Sequence, residues 1–179
     1  MNRDIRLLDK TFTPYLSADS ILSRVDEIAS QLRQDYKNEK VLFVGVLNGA
    51  FMFASDLMKS INFDLEISFV KVTSYEGTAS TGNVKDLIGL NNSLEGKHVV
   101  IIEDIVDTGR TADRIFEYLK EKNPMSIEMC TLLYKSDAFE GIEEPKYVGF
   151  KIPNKFVVGY GLDYDEAGRN LNEIYQLKE

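Results

Sequence analysis

Val99-Val100-Ile101-Ile102-Glu103-Asp104-Ile105-Val106-Asp107-Thr108-Gly109-Arg110-Thr111 is the stretch that decides both how the chain folds and where it binds. With His98 before it, the apolar run predicts a strand over 98–103 that is covered on both faces. That strand is expected to end on Glu103 and Asp104. In open α/β sheets, ligands collect outside the carboxyl ends of the strands. Two neighbouring carboxylates repel each other unless something bridges or solvates them. Magnesium or a vicinal diol would do so, because carboxylates are hard oxygen ligands and accept hydroxyl protons. A helix is expected from about 110 to 121. Gly109 allows close backbone approach, N–H groups converge at the helix start, and Thr108 and Thr111 add hydroxyls. That combination is a phosphate cradle. An acid pair and a cradle a few residues apart match a ribose 5-phosphate, with its diol at one end and its phosphate at the other. The plainer alternative is a strand end with solvated acids and a helix capped by Asp107.

Working outward, residues 17 to 36 predict an amphipathic helix, with Ser17 or Asp19 as N-cap. Ile21, Leu22, Val25, Ile28, Ala29 and Leu32 recur on one face at helical spacing. Residues 41 to 46 are a second fully apolar strand, and Leu47-Asn48-Gly49-Ala50 turns into a helix ending near Lys59. Further strands are expected at 64–72, 84–90, 126–134, 147–152 and 156–160, and a short helix near 165–170. The stretch from Thr73 to Asn83 is small, polar and glycine-punctuated, the composition of a mobile loop. Strands alternating with helices imply a layered α/β domain with a mostly parallel sheet. One domain over 1–179 is the economical reading, with a small lobe drawn from both chain ends.

The bulk numbers narrow the function. An apolar fraction of 44% and a charged fraction of 28% suit a globular chain. The net charge of −8 argues against a nucleic-acid partner, which needs a basic face. An acidic protein must hold an anion through local N–H groups, a few placed cations or a metal. No apolar stretch approaches the ~20 residues needed to span a bilayer, and Met1-Asn2-Arg3-Asp4 does not lead into a signal-peptide core. The single cysteine, Cys130, cannot form an internal disulfide, so a cytoplasmic location fits.

The run from Val99 to Thr111 resembles the phosphoribosyl diphosphate signature of type I phosphoribosyltransferases. The resemblance covers nearly the whole chain and lies nearest the hypoxanthine and hypoxanthine-guanine members. Leu47 to Phe53 resembles their diphosphate loop, and Ser74-Tyr75 with the following residues their flexible lid. Lys135-Ser136-Asp137 and Phe156 to Tyr164 resemble their purine-binding segments. The resemblance implies the type I fold: a central sheet flanked by helices, a small hood lobe and a flexible active-site loop. It implies magnesium-dependent transfer of a phosphoribosyl group from phosphoribosyl diphosphate to hypoxanthine and guanine, yielding IMP or GMP.

By the same resemblance, Glu103 and Asp104 bind the ribose hydroxyls and a magnesium ion. Asp107 is the general base for the purine N7 proton, and Thr108, Gly109, Arg110 and Thr111 cradle the 5-phosphate. Asn48, Gly49, Ser74, Tyr75 and Arg169 contact diphosphate. Lys135, Phe156, Val157 and Asp163 serve the purine subsite, and Asp163 also binds a second metal ion. Each has a plainer role open to it: Lys135 as a solvent-facing strand end, Phe156 as core, Arg169 as a salt-bridge partner within a short helix. Asn48 departs from the family, where a basic residue is common, so diphosphate contact there falls to N–H groups, metal and Arg169. The Leu47–Asn48 bond is expected to be capable of the cis form, as in relatives. His98, the only histidine, reads as structural. Relatives are commonly dimers or tetramers. A regulatory protein that kept the sugar-phosphate site without catalysis is the alternative from another class, disfavoured by the charge and by Asp107.

Overall fold

The structure is a computed structural model and describes residues 3–71, 90 and 93–178. A hairpin comes first, β1 (Ile5–Leu7) and β2 (Lys10–Leu16), followed by α1 (Ala18–Tyr36). Ser17 is the N-cap of α1, and its hydroxyl accepts the Ser20 N–H at 3.3 Å. That satisfies one of the donors that every helix start leaves orphaned. Ile21, Val25, Ile28, Ala29 and Leu32 are buried along one side of α1, as their spacing predicts. Leu22 is exposed and stands off that face.

The chain then lays down β3 (Val41–Leu47), α2 (Phe51–Ser60), β4 (Glu66–Lys71), β5 (His98–Val106), α3 (Arg110–Lys120), β6 (Ser126–Tyr134) and β7 (Tyr147–Lys151). Five of these form a wholly parallel sheet in the order β4-β3-β5-β6-β7. The order places β5 at the centre, where both faces are covered. Val100 and Ile102 face α1 and α2, while Val99 and Ile101 face α3. This is why the run reads as continuously apolar.

The last elements are β8 (Val157–Val158) and β9 (Ile174–Leu177). They join the hairpin in a four-stranded sheet ordered β1-β2-β9-β8. The expected small lobe is therefore built from both chain ends. The sequence predicts only β8 among its strands; β1 and β9 are short, and β2 carries Pro14 at a register shift. Among the described residues, no helix is long and apolar enough to cross a membrane.

Four boundaries need correction. β5 runs to Val106, three residues beyond the expected end at 103, since Ile105 and Val106 continue the pairing with β6. β4 starts at Glu66, and the expected strand 156–160 shrinks to Val157–Val158. No helix forms at 165–170. Instead the chain makes tight turns closed by isolated bridges, Gly159 with Leu162 and Tyr164 with Ala167. Asp165 and Glu166 adopt positive φ of 50° and 65° there, which a right-handed helix forbids. The expected strand 84–90 and loop 73–83 lie outside the described residues, apart from Leu90.

Leu32 is fully enclosed at the α1–sheet contact. Leu32→Ala should lower unfolding free energy by about 2–5 kcal/mol, read from the urea midpoint. A loss under about 1 kcal/mol would show that α1 does not pack as described.

Candidate active site

The acids of β5 sit where the strand's pleat slips. Ile102 and Ile105 both pack toward α1 and α2, although strict alternation would put them on opposite faces. Val106 then returns to the α3 side. Asp104 lies in this irregularity, and its Oδ1 accepts the N–H of Ile105 at 2.9 Å. Glu103 is only 6% exposed, whereas Asp104 keeps a partial opening to solvent. Burial, and then the neighbouring Asp104 charge, push the Glu103 carboxyl well above the usual range. Burial raises Asp104 to about 6, against the lowering effect of its backbone N–H bonds and of Arg169. Both acids thus want a positive partner or a hydroxyl donor.

Opposite Asp104 stands the turn after β3. The Leu47–Asn48 peptide is cis, as expected. A Cβ on Gly49 would fall 1.7 Å from Asp104 Oδ2, so only glycine fits against that carboxylate. A Cβ on Gly161 would fall 2.0 Å from the carbonyl oxygen of Gly49, and Gly161 has φ +102°. Three segments therefore meet: the β3 turn, the β5 acids and the turn after β8. Tyr160 anchors the last of these, its hydroxyl donating to Asp56 Oδ2 of α2 at 2.6 Å.

Arg169 closes the same corner. Its Nη1 donates to the Gly161 carbonyl at 3.0 Å, while the Gly161 N–H donates to the Arg169 carbonyl at 2.9 Å. Its Nη2 lies 2.9 Å from Asp163 Oδ1 and 3.1 Å from Glu166 Oε2. The salt-bridge role is thus real, within turns and not a helix. The fold nonetheless brings Arg169, Asp163 and Asp104 close enough for their charges to act on one another.

Beyond β5 comes the turn into α3 that the sequence reads as a phosphate cradle. Gly109 is the N-cap of α3, left-handed at φ 85°, with no side chain capping the helix. The capping role open to Asp107 is therefore not used. Asp107 instead meets Lys135 Nζ at 2.7 Å. Lys135 is buried at 7% exposure, and its Nζ also reaches Asn154 Oδ1 at 3.3 Å. The solvent-facing alternative for Lys135 is thereby excluded. The pairing follows from register: Val106 lies opposite Tyr134, so the next residue on each strand, Asp107 and Lys135, emerge side by side.

Phe156 is 45% exposed and is not core. Its ring stands edge-on to Tyr164 at 5.9 Å and tilted against Phe12 at 6.3 Å. Val157, next in chain, is buried in β8. His98 lies at the opposite end of β5, its Nδ1 sharing a hydrogen bond with Ser126 Oγ at 2.7 Å, which bears out a structural role. Ser74 and Tyr75 lie outside the described residues.

A family model described as the phosphoribosyl transferase domain matches residues 14–165. The chain belongs to the phosphoribosyl transferase family. A hypoxanthine-guanine phosphoribosyltransferase of Staphylococcus aureus is 46% identical over 164 residues, 91% of this chain and 92% of that protein. A crystal structure of a hypoxanthine phosphoribosyltransferase from Staphylococcus aureus superposes with a TM-score of 0.84 at 46% identity, covering 92% of this chain and 90% of that one. A Trypanosoma cruzi hypoxanthine phosphoribosyl transferase superposes with a TM-score of 0.86 at 33% identity, covering 97% and 95%.

Two residues of the candidate site are not singled out by the sequence. Gly161 lies in the Phe156 to Tyr164 segment, but nothing in that segment tells of its contact with Gly49. Asn154 stands in a Pro153-Asn154-Lys155 turn that looks like any surface loop, yet it reaches the buried lysine.

The raised Asp104 carboxyl has a signed consequence. A group whose pKa is higher folded than unfolded binds protons preferentially in the folded state. Stability conferred on the protonated form is lost as pH rises from about 4 through about 6, and the cost is constant above that. Asp104→Asn, which keeps an oxygen for the Ile105 N–H, should therefore be more stable than the parent at pH 8 by about 1–3 kcal/mol. The gain should vanish near pH 4. Chemical denaturation at the two pH values measures it, and a destabilised variant at pH 8 contradicts it.

Proposed function

We propose that the chain transfers the 5-phosphoribosyl group from phosphoribosyl diphosphate to hypoxanthine, and to guanine, giving IMP or GMP and diphosphate. The observation that carries this reading is the 2.7 Å pair between Lys135 and Asp107 at the ends of adjacent central strands. A 6-oxopurine presents its carbonyl oxygen and its N7 proton side by side on one edge. An ammonium beside a carboxylate offers the matching donor and acceptor. Adenine would bring a 6-amino donor against the lysine and be rejected. The named relatives act in their own names on hypoxanthine and guanine, which agrees with this match.

Asp107 accepts the N7 proton as N9 bonds to the ribose C1. The C1–oxygen bond to diphosphate breaks, and its electron pair leaves with the diphosphate. Thr108, Gly109, Arg110 and Thr111 hold the 5-phosphate at the start of α3. Gly49 and the Asn48 turn offer N–H groups to diphosphate, with Arg169 as the cation. Phe156 presents an exposed ring face to the purine, and Val157 offers backbone groups to the base edge.

Glu103 and Asp104 take the ribose hydroxyls, and Glu103, Asp104 and Asp163 are the residues that would hold magnesium. Their donor set fits: hard carboxylate oxygens, two of the carboxylates held where burial disfavours their charge. Among the described residues no three acidic, histidine or cysteine side chains converge as a complete cage. Magnesium characteristically takes one or two carboxylates and completes its shell with substrate phosphates and water. When bound, it supplies positive charge to the departing diphosphate.

The cytoplasm suits this chemistry and suits Cys130, which is free and fully buried. A symmetric homodimer or homotetramer is the expected assembly. Nucleotide formation should be followed with adenine, hypoxanthine, guanine, xanthine and uracil, with and without magnesium. Hypoxanthine and guanine should be turned over only with the metal, and Asp107→Asn should lower the rate roughly a hundredfold or more. Turnover of adenine or uracil alone would refute the assignment. An unaffected Asp107→Asn enzyme would remove Asp107 from the chemistry.

A further inference from the structure

The loop after Lys135 crosses over the phosphate cradle and touches nearly every part of it. The Glu140 N–H donates to the Thr108 carbonyl at 3.0 Å. The Glu140 carboxylate lies 3.6 Å from Arg110 Nη2. The Ile142 N–H donates to Asp113 Oδ1, in the first turn of α3, at 3.0 Å. Between these ties sits the ring of Phe139. A Cβ on Gly109 would fall 2.5 Å from that ring, and a Cβ on Gly141 would fall 2.7 Å from it. The ring is therefore clasped between two bare glycine backbones. It also stands edge-on to Tyr134 at 5.5 Å, the residue just before Lys135.

This packing has a mechanical meaning. Gly109 is in the left-handed region, where the backbone has many alternatives and no side chain of its own to limit them. The N–H groups of the cradle can bind a phosphate tightly only if their directions are fixed beforehand. Phe139 fills the space that a side chain at 109 would have used, and so supplies the missing restraint from another loop. That loop begins at Lys135, whose own backbone N–H donates to the Val106 carbonyl of β5 at 2.9 Å. The purine lysine and the phosphate cradle thus share one short strap.

We propose that Phe139 is a positioning residue for the 5-phosphate, wedged between Gly109 and Gly141 so that the strap from Lys135 holds the cradle in its binding shape. It does not touch the reacting atoms. The inference rests on the proposed use of phosphoribosyl diphosphate. Phe139→Ala removes the wedge. Gly141→Ala, at a backbone position without positive φ, pushes the ring off its seat from the other side.

Steady-state kinetics on the intact enzyme, varying each substrate in turn, separates the outcomes. Both variants should raise KM for phosphoribosyl diphosphate roughly tenfold, with kcat changed by less than about threefold. Phe139→Leu, which keeps an apolar wedge, should recover most of that affinity. A loss of packing alone would lower the amount of folded enzyme, seen as a smaller kcat with both KM values intact. That pattern overturns the proposal, as does an unchanged KM for phosphoribosyl diphosphate in a folded variant. If Phe139→Ala does not fold, Gly141→Ala decides alone. Parent enzyme that shows no turnover of phosphoribosyl diphosphate would instead defeat the underlying functional reading.

Discussion

The carboxylate of Asp104 presses on the bare backbone of Gly49, next to Glu103, near the carboxyl end of the central strand β5. This contact ties several segments of the described residues together. The β3 turn must be glycine there, and the turn carrying Gly161 closes against that glycine's carbonyl. Burial makes the charged form of Asp104 costly, so the folded chain holds a carboxylate whose demand for positive charge is unmet by its own strands. Arg169 answers it partly, while itself engaged with Asp163 and Glu166. A site of this kind trades stability for binding, a common feature of functional positions.

Around that point the two subsites follow from strand register. Parallel pairing of β5 with β6 brings Asp107 and Lys135 to adjacent strand ends, 28 residues apart in the chain. The same extension of β5 carries the chain straight into the Gly109 turn and α3. The proposed sugar-phosphate and base subsites therefore hang on one pair of neighbouring strands. The strap from Lys135 to Ile142 joins them again on the outside.

Much of this is legible in the residues. The fully apolar runs at 41–46 and 99–102 announce buried parallel strands because both their faces need covering. The cradle is legible because a glycine, hydroxyls and a helix start fall in order. Other features are not local. The end of β5 is hidden because acids inside a strand look like its terminus, and only pairing with β6 shows that Ile105 and Val106 continue it. The turns at 165–170 are hidden because two of their three positive φ values belong to Asp165 and Glu166, and only Gly168 is a glycine. Asp107 as partner of Lys135, Gly161 against Gly49, and Phe139 between two glycines are long-range contacts with no spacing to reveal them.

In the proposed function, Asp104 makes phosphoribosyl diphosphate binding depend on a divalent cation. Calorimetric titration of phosphoribosyl diphosphate into the parent protein and into Asp104→Asn, each with and without magnesium, tests it directly. Magnesium should tighten binding to the parent by roughly tenfold or more and leave Asp104→Asn nearly unchanged. The same magnesium dependence in both proteins would contradict the account.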